Sequence, residues 1–368
     1  MQITMHRDGN HVSRQHNFSA GPGTLPARVL EEVREELPLY QNVGSSIMEI
    51  SHRSPEYIAI ETSARDRLRR LLGLSDSWHI LFLGGGASMQ FHQVALNFLP
   101  PGGSADYIIT GTWAKKAFAE AKRLGNAREA ATSEADAFTY IPDPETWDLD
   151  SGAAYVHFTS NNTVYGTQYR TEPNVEVPLV CDASSDFLSR SLDLDRYGLL
   201  YAGAQKNIGP AGVAVVLVRD DFLAQRNQQL PTMLDYGTHA AKCFNTPPVF
   251  PIYVVEKVLS WLEAEGGISA IEQVNTRKAS LLYGRIDATD FYRGTAQMAS
   301  RSHMNVTFRL PNPDLEARFV MEARQQGLLA LKGHRSVGGI RASIYNACHL
   351  QAVEDLVVFM DTFERQNG

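Results

Sequence analysis

The chain has 368 residues, 43% hydrophobic and 20% charged, a balance that excludes disordered and fibrous classes and suits a globular protein of two lobes. Lysine and arginine number 34 against 41 acidic residues, a net charge of −7. No global field therefore draws the chain to nucleic acid or an anionic membrane, and any anion site must be a local cluster. No apolar run nears the roughly 20 residues of a membrane span, and the N-terminus lacks a signal-peptide core. Cys181, Cys243 and Cys348 are too few and too scattered for a disulfide framework or a zinc site. A cytoplasmic location without a metal is the expectation.

Residues 1–16 are expected to form a flexible leader, in which His6, His11 and His16 have no metal-ligand spacing. A turn-rich stretch, Asn17-Phe18-Ser19-Ala20-Gly21-Pro22-Gly23, leads into a helix from about residue 26. Ser54-Pro55 reads as the cap and first position of a second helix running to about 72. His52 and Arg53 then lie just outside a helix N-terminus, either as an anion site or as a solvated surface pair. A strand is expected over 78–83, and Gly84-Gly85-Gly86-Ala87-Ser88 bridges it to a helix at about 89–99. The bridge matches neither the dinucleotide nor the P-loop pattern, yet a strand, glycines and a helix start gather unpaired N–H groups suited to a phosphate.

A second strand at 105–110 precedes Gly111-Thr112-Trp113-Ala114 and a helix to about 124. Trp113, on that corner, either packs or faces a cleft. Residues 130–151 are acidic and loop-rich. A strand at 153–158 runs into the polar loop Thr159-Ser160-Asn161-Asn162-Thr163, and a strand at 179–182 ends on Asp182. That carboxylate is either a functional group at a strand's carboxyl end or the cap of the next turn. With a further strand at 213–218, the alternation from 78 to 218 predicts an α/β fold with a mainly parallel sheet. A long helix ending near 265 leads to a smaller α+β lobe. That lobe has strands at 304–310 and 340–344, helices at about 313–326 and 351–365, and His334, Arg335 and Arg341 close together. The expected division is a large domain over 17–258 and a small one over 259–368.

The stretch Tyr201-Ala202-Gly203-Ala204-Gln205-Lys206-Asn207 sets one lysine among compact residues and just before a core-like strand. Burial disfavours the ammonium and lowers the lysine pKa, as a Schiff-base lysine requires; a turn lysine reaching out to solvent is the other reading. Asp182 offers a partner for a protonated ring nitrogen, the 84–88 loop a phosphate cradle, Trp113 a cover for a ring and Thr163 a contact for its hydroxyl. A lysine imine with an acidic partner on a pyridinium is the pattern for pyridoxal phosphate (PLP). Two His-Arg pairs in an acidic protein suit a dianionic substrate.

Longer motifs sharpen this. NFSAGP (17–22), SHRS (51–54), GGGAS (84–88), GTWA (111–114), TSNNTVYGT (159–167), DASS (182–185), YAGAQKNIGPAG (201–212), FNTPP (244–248) and KGHR with RASIYNA (332–347) span nearly the whole chain beyond residue 16. With them the sequence resembles the phosphoserine aminotransferases, within the class V aminotransferases of PLP fold type I. The resemblance implies a large domain with a mainly parallel seven-stranded sheet and a smaller α+β C-terminal domain. It implies that Lys206 carries the cofactor, Asp182 meets the pyridine nitrogen, and Ala87, Ser88, Trp113, Thr163 and Gln205 surround it. It further implies a homodimer in which Asn245 and Thr246 reach the partner's PLP phosphate. Arg341 is implied on the substrate α-carboxylate, with His52, Arg53, His334 and Arg335 around its distal phosphate or carboxylate. The implied reaction is 3-phosphohydroxypyruvate plus L-glutamate to O-phospho-L-serine plus 2-oxoglutarate in serine biosynthesis, with a second role on a phosphorylated four-carbon keto acid in pyridoxine synthesis. Some members carry an arginine where Ser88 stands, so phosphate recognition here rests more on the two His-Arg pairs. The rivals are another fold-type-I enzyme, such as an alanine–glyoxylate aminotransferase or a cysteine desulfurase using Cys348, and a PLP-binding regulator without turnover.

Overall fold

The computed structural model describes residues 4–7 and 10–368. Its large lobe is built on seven strands: β1 (Trp78–Leu83), β2 (Ser104–Ile109), β3 (Asn126–Thr132), β4 (Val156–Thr159), β5 (Leu179–Asp182), β6 (Tyr197–Gly203) and β7 (Ala214–Arg219). They lie in the order β1-β7-β6-β5-β4-β2-β3. Only β7 is antiparallel to its neighbours, so the sheet is mainly parallel as expected. Every residue of β2, β5 and β6 is buried, and strands covered on both faces read as unbroken apolar runs. The edge strand β3 instead alternates in burial and carries little apolar signal, so it reaches to Thr132 where the sequence predicts the start of a loop-rich segment.

Helices α1 (Ala27–Glu36), α2 (Pro55–Leu72), α3 (Gly86–Phe98) and α4 (Thr112–Leu124) belong to the same lobe. The start of α2 matches its reading: Pro55 opens it and the Ser54 hydroxyl accepts from the Tyr57 amide at 3.3 Å. Helix α3 begins at Gly86, three residues before the expected start. Gly85 and Gly86 have φ of 85° and 62°, a left-handed turn open to glycine that swings the chain straight from β1 into the helix.

Two long helices follow, α5 (Val249–Ala264) and α6 (Gly267–Ile286). The second is absent from the sequence reading because Gly266-Gly267 looks like an ending. It is both an ending and a start, since Gly266 caps α6 at φ 96°. The small lobe adds the antiparallel strands β8 (Arg293–Gly294), β9 (Asn305–Arg309) and β10 (Ile340–Ser343), with α7 (Pro313–Gln325) and α8 (Leu350–Asn367). The division expected after residue 258 falls inside α5, whose buried face packs in the large-lobe core. Side chains change core within α6, between Ile271 and Ala279.

Of the expected flexible leader, residues 1–3 and 8–9 lie outside the described residues. Thr4–Arg7 and Asn10–Ser13 pair as an antiparallel hairpin, and His16–Asn17 pairs with Leu328–Leu329 of the small lobe. Residue 16 is thus anchored by backbone hydrogen bonds rather than free, and its imidazole lies 2.7 Å from Asp355. No helix among the described residues is long and apolar enough to cross a membrane.

Candidate active site

The parallel register places Asp182 beside Thr159 of β4 and Tyr201 of β6. Chain reversals at the carboxyl ends of these strands form the floor of a cavity of about 530 Å³, lined among others by Gly85, Gly86, Trp113, Thr163, Gln205, Lys206, His334 and Arg341. The carboxyl end of a parallel sheet is where open α/β folds gather ligand-binding groups, because the loops there diverge.

Lys206 sits on the turn after β6. It is half-buried, and its Nζ donates to Thr163 Oγ1 at 2.7 Å. Burial pushes its pKa down to about 8; the Asp182 carboxylate opposes that fall and Arg341 adds to it. The snorkelling alternative is therefore set aside: the amine points into the cavity. Gly23 is clamped to the same turn, its amide donating to the Gln205 carbonyl at 2.7 Å.

Asp182 is 4% exposed, and burial raises its pKa, offset by Lys206 and Ser184. Its Oδ1 accepts from the Ser184 amide at 3.0 Å and the Ser184 hydroxyl at 2.6 Å. Among the described residues Oδ2 has no hydrogen-bond partner. The capping role weighed for Asp182 is therefore also real: one oxygen holds the turn and the other is left for a ligand. Ser184 enters the sequence reading only within the DASS motif and without a role, although an aspartate two residues before a serine is a turn signal. Beneath lies a second buried carboxylate, Asp186, which accepts from Ser160 Oγ and from Gln168 Nε2.

Trp113 stands in the first turn of α4 with its ring centroid 5.6 Å from Lys206 Nζ. Its indole Nε1 and the neighbouring Thr159 Oγ1 are buried without partners. Across the cavity, Ala87 and Ser88 occupy the first turn of α3, which has no side-chain cap, so its amides are open to an anion. A lysine with lowered pKa, an indole face and an uncapped helix start at one cavity, with a buried carboxylate of one free oxygen acting on the lysine, fit PLP. Lys206 suits its aldehyde, Asp182 its ring nitrogen, Trp113 its ring, and the α3 turn its phosphate.

On the small-lobe side, Arg341 of β10 donates to the Thr163 carbonyl at 3.3 Å and has no carboxylate partner among the described residues. His334 hydrogen-bonds Ser336 Oγ through Nδ1 at 2.7 Å. Burial, then Arg341, Arg335 and Lys116, hold its pKa below the usual range, which favours the neutral imidazole. Arg335, on the same loop, is exposed. A second cavity of about 630 Å³ between the lobes shares Val164, His334 and Arg341 with the first.

The expected pocket is not assembled within one chain. His52 and Arg53 line a separate depression of about 330 Å³ with Arg65 and Cys243. Asn245 and Thr246 are exposed just beyond Cys243. Helix α2 is fastened to α5 by Ser63 and Arg67 on Glu256, at 2.8 and 2.9 Å, which keeps its N-terminus outside the Lys206 cavity. Cys348 is 4% exposed within the small-lobe core, so it does not supply the mobile nucleophilic thiol of the desulfurase reading.

Comparison with known proteins adds independent findings. A family model described as aminotransferase class-V matches residues 15–356. A phosphoserine aminotransferase of Desulfosudis oleivorans is 53% identical over 96% of this chain and 99% of its own. Among solved structures, phosphoserine aminotransferase from Bacillus circulans subsp. alkalophilus superposes with a TM-score of 0.94 at 49% identity, covering 96% of this chain and 99% of that one. A PLP-bound phosphoserine aminotransferase from Trichomonas vaginalis gives 0.91 at 38% identity, over 95% and 100%.

Proposed function

The chain belongs to the class V aminotransferases, and we propose that it moves the amino group of L-glutamate to 3-phosphohydroxypyruvate with PLP as cofactor, giving O-phospho-L-serine and 2-oxoglutarate. The observation that carries the reading is Lys206 and Trp113 in one cavity with Arg341, which has no carboxylate partner among the described residues, and the buried Asp182 acting on Lys206. The close relatives that bear the phosphoserine aminotransferase name support the choice of substrate.

When bound, PLP supplies an aldehyde that captures amines and a ring that withdraws electrons from the bond being broken. Asp182 holds its negative charge at the ring nitrogen, and Ser184 fixes the carboxylate's angle. The first turn of α3, with Ala87 and Ser88, receives the cofactor phosphate, while Gln205 and Thr163 border the ring. Arg341 grips the substrate α-carboxylate, its planar fork matching two oxygens, and this sets the α-carbon beside Lys206. Lys206 Nζ, with a pKa of about 8, takes the α-proton as a neutral amine and returns it as an ammonium. A group titrating near the working pH suits both directions.

The distal phosphate or carboxylate lies toward His334 and Arg335, with His52 and Arg53 contributed by a second copy of the chain. In support, His52, Arg53, Asn245 and Thr246 are all outside the Lys206 cavity, and Ile58 lines the depression that holds His52 and Arg53. Leu39, Val43, Met48 and Phe244 are exposed on neighbouring segments. Apolar side chains left open in this way mark a surface for a partner, and a two-fold dimer uses the same patch twice, completing two sites at once. The proposed location is the cytoplasm, consistent with three free cysteines.

The test is direct. Purified protein reconstituted with PLP should convert O-phospho-L-serine and 2-oxoglutarate with ping-pong kinetics and should turn over L-serine and L-alanine far more slowly. Equal turnover of L-serine would refute a dedicated phosphate pocket.

A further inference from the structure

Lys116 lies three residues beyond Trp113 on α4, and its Nζ stands 4.6 Å from the centroid of the indole ring. The same ring is 5.6 Å from Lys206 Nζ. Trp113 therefore has one ammonium from the cavity floor and another from solvent, where Lys116 is exposed. Two other cations of α4 are paired with carboxylates, Lys115 with Glu134 and Arg123 with Glu120, while Lys122 lies over the Phe118 ring as Lys116 lies over Trp113. Among the described residues Lys116 has no carboxylate partner.

Lys116 also lies near enough to His334 to act on it electrostatically, after Arg341 and Arg335, and the Trp113 ring it covers lines the same cavity as His334 and Arg341. Lys116, Arg335 and Arg341 thus all act on His334, and none of the three has a carboxylate partner among the described residues. Cations grouped around one imidazole raise the local positive potential and attract an anion. On the reading above, the far end of the substrate lies toward His334 and Arg335, and so toward these cations. A phosphate monoester there carries −1.5 to −2 charges near pH 7, by the usual second pKa of about 6. A flexible lysine of four methylenes can leave an aromatic face for such a dianion, because a cation–π contact at an exposed site is worth only about 0.5–1 kcal/mol.

We propose that Lys116 is a specificity-determining residue, whose ammonium moves from the Trp113 ring onto the distal phosphate of the bound substrate. The inference rests on the reading of the substrate given above and adds a cation contributed by the same chain as Lys206.

Lys116→Met and Lys116→Arg, prepared as PLP-loaded dimers or as whatever assembly the wild type forms, test it. The measurements are the dissociation constants of O-phospho-L-serine and L-serine by calorimetry, and kcat and KM for O-phospho-L-serine. The ratio of the L-serine to the O-phospho-L-serine dissociation constant should fall about tenfold in Lys116→Met, as for one lost charge-assisted contact. KM should rise while kcat stays within about twofold, and Lys116→Arg should recover most of the loss. The effect should shrink at high salt. An unchanged ratio in Lys116→Met, with wild type still preferring O-phospho-L-serine, overturns the role of Lys116 and leaves the substrate assignment standing. An equal loss for L-serine and O-phospho-L-serine also overturns it, since the lysine would then act through Trp113 and the cofactor. A wild type that binds both amino acids alike overturns the substrate assignment itself.

Discussion

Lys206 donates its Nζ proton to Thr163 Oγ1 at 2.7 Å, and the carbonyl of the same threonine accepts from Arg341 at 3.3 Å. One residue of the polar loop after β4 thus ties the amine that carries the chemistry to the arginine assigned to the substrate carboxylate. The two lie on different lobes, so the spacing between proton carrier and α-carboxylate is set by a contact between lobes.

The amine should report its burial through pH. Lys206 falls from an ordinary 10.5 to about 8, and only the neutral amine attacks an aldehyde. The rate at which apoprotein regains colour with PLP should rise about tenfold per pH unit below 8 and level off above it. A rate still climbing at pH 10 would mean a solvated lysine. Since the Asp182 charge raises the Lys206 pKa, Asp182→Asn should move the plateau to lower pH.

Lys206→Ala should abolish the Schiff-base absorbance and let PLP wash out on desalting, with turnover lost by several orders of magnitude. Asp182→Asn should differ: it still binds PLP covalently but lacks the charge at the ring nitrogen, so kcat should drop about 100-fold or more. Absorbance spectra and single-turnover rates separate the two.

Arg341→Lys retains the charge but loses the planar fork. KM for L-glutamate and for O-phospho-L-serine should both rise, by about 10- to 100-fold. Arg335→Ala should weaken O-phospho-L-serine more than L-serine. Steady-state kinetics with the three amino donors distinguish a carboxylate contact from a phosphate contact.

Placement of Arg53 in the partner's site predicts complementation. Lys206→Ala and Arg53→Ala homodimers should each be impaired. Heterodimers formed by co-expression should recover activity, because one of their two sites then has both an intact lysine and an intact arginine. No recovery in an isolated heterodimer would place both residues in the same chain's site.

Gly23→Ala probes the clamp on the lysine turn. A Cβ there would lie 2.5 Å from the Lys206 carbonyl oxygen and 2.9 Å from the Tyr345 ring, so the turn must shift. Loss of about 1–3 kcal/mol is expected, visible as a lower Tm and faster release of PLP.

Much of this was legible in the sequence where the signal is local. The buried strands β1, β5 and β7 stand out as apolar runs, Ser54-Pro55 marks the start of α2, and the long motifs around Lys206, Asp182 and Trp113 carry the family resemblance. Signals failed where one residue pattern serves two purposes. Gly266-Gly267 ends α5 and starts α6, and the thinly apolar β3 reads as loop.

The sequence by itself determined the chemistry: one lysine in a compact turn, an acid at a strand end and clustered His-Arg pairs define what reaction is possible, because residue type and local backbone preference are properties of short segments. Only the tertiary structure decided which of these groups share a cavity. It gathered Lys206, Trp113, His334 and Arg341 around one cavity with Asp182 acting on the lysine, left His52, Arg53, Asn245 and Thr246 outside that cavity, and brought forward Ser184, Thr159 and Lys116. Distances between residues remote in the chain follow from sheet register and the packing of α2 on α5, and no short segment records them.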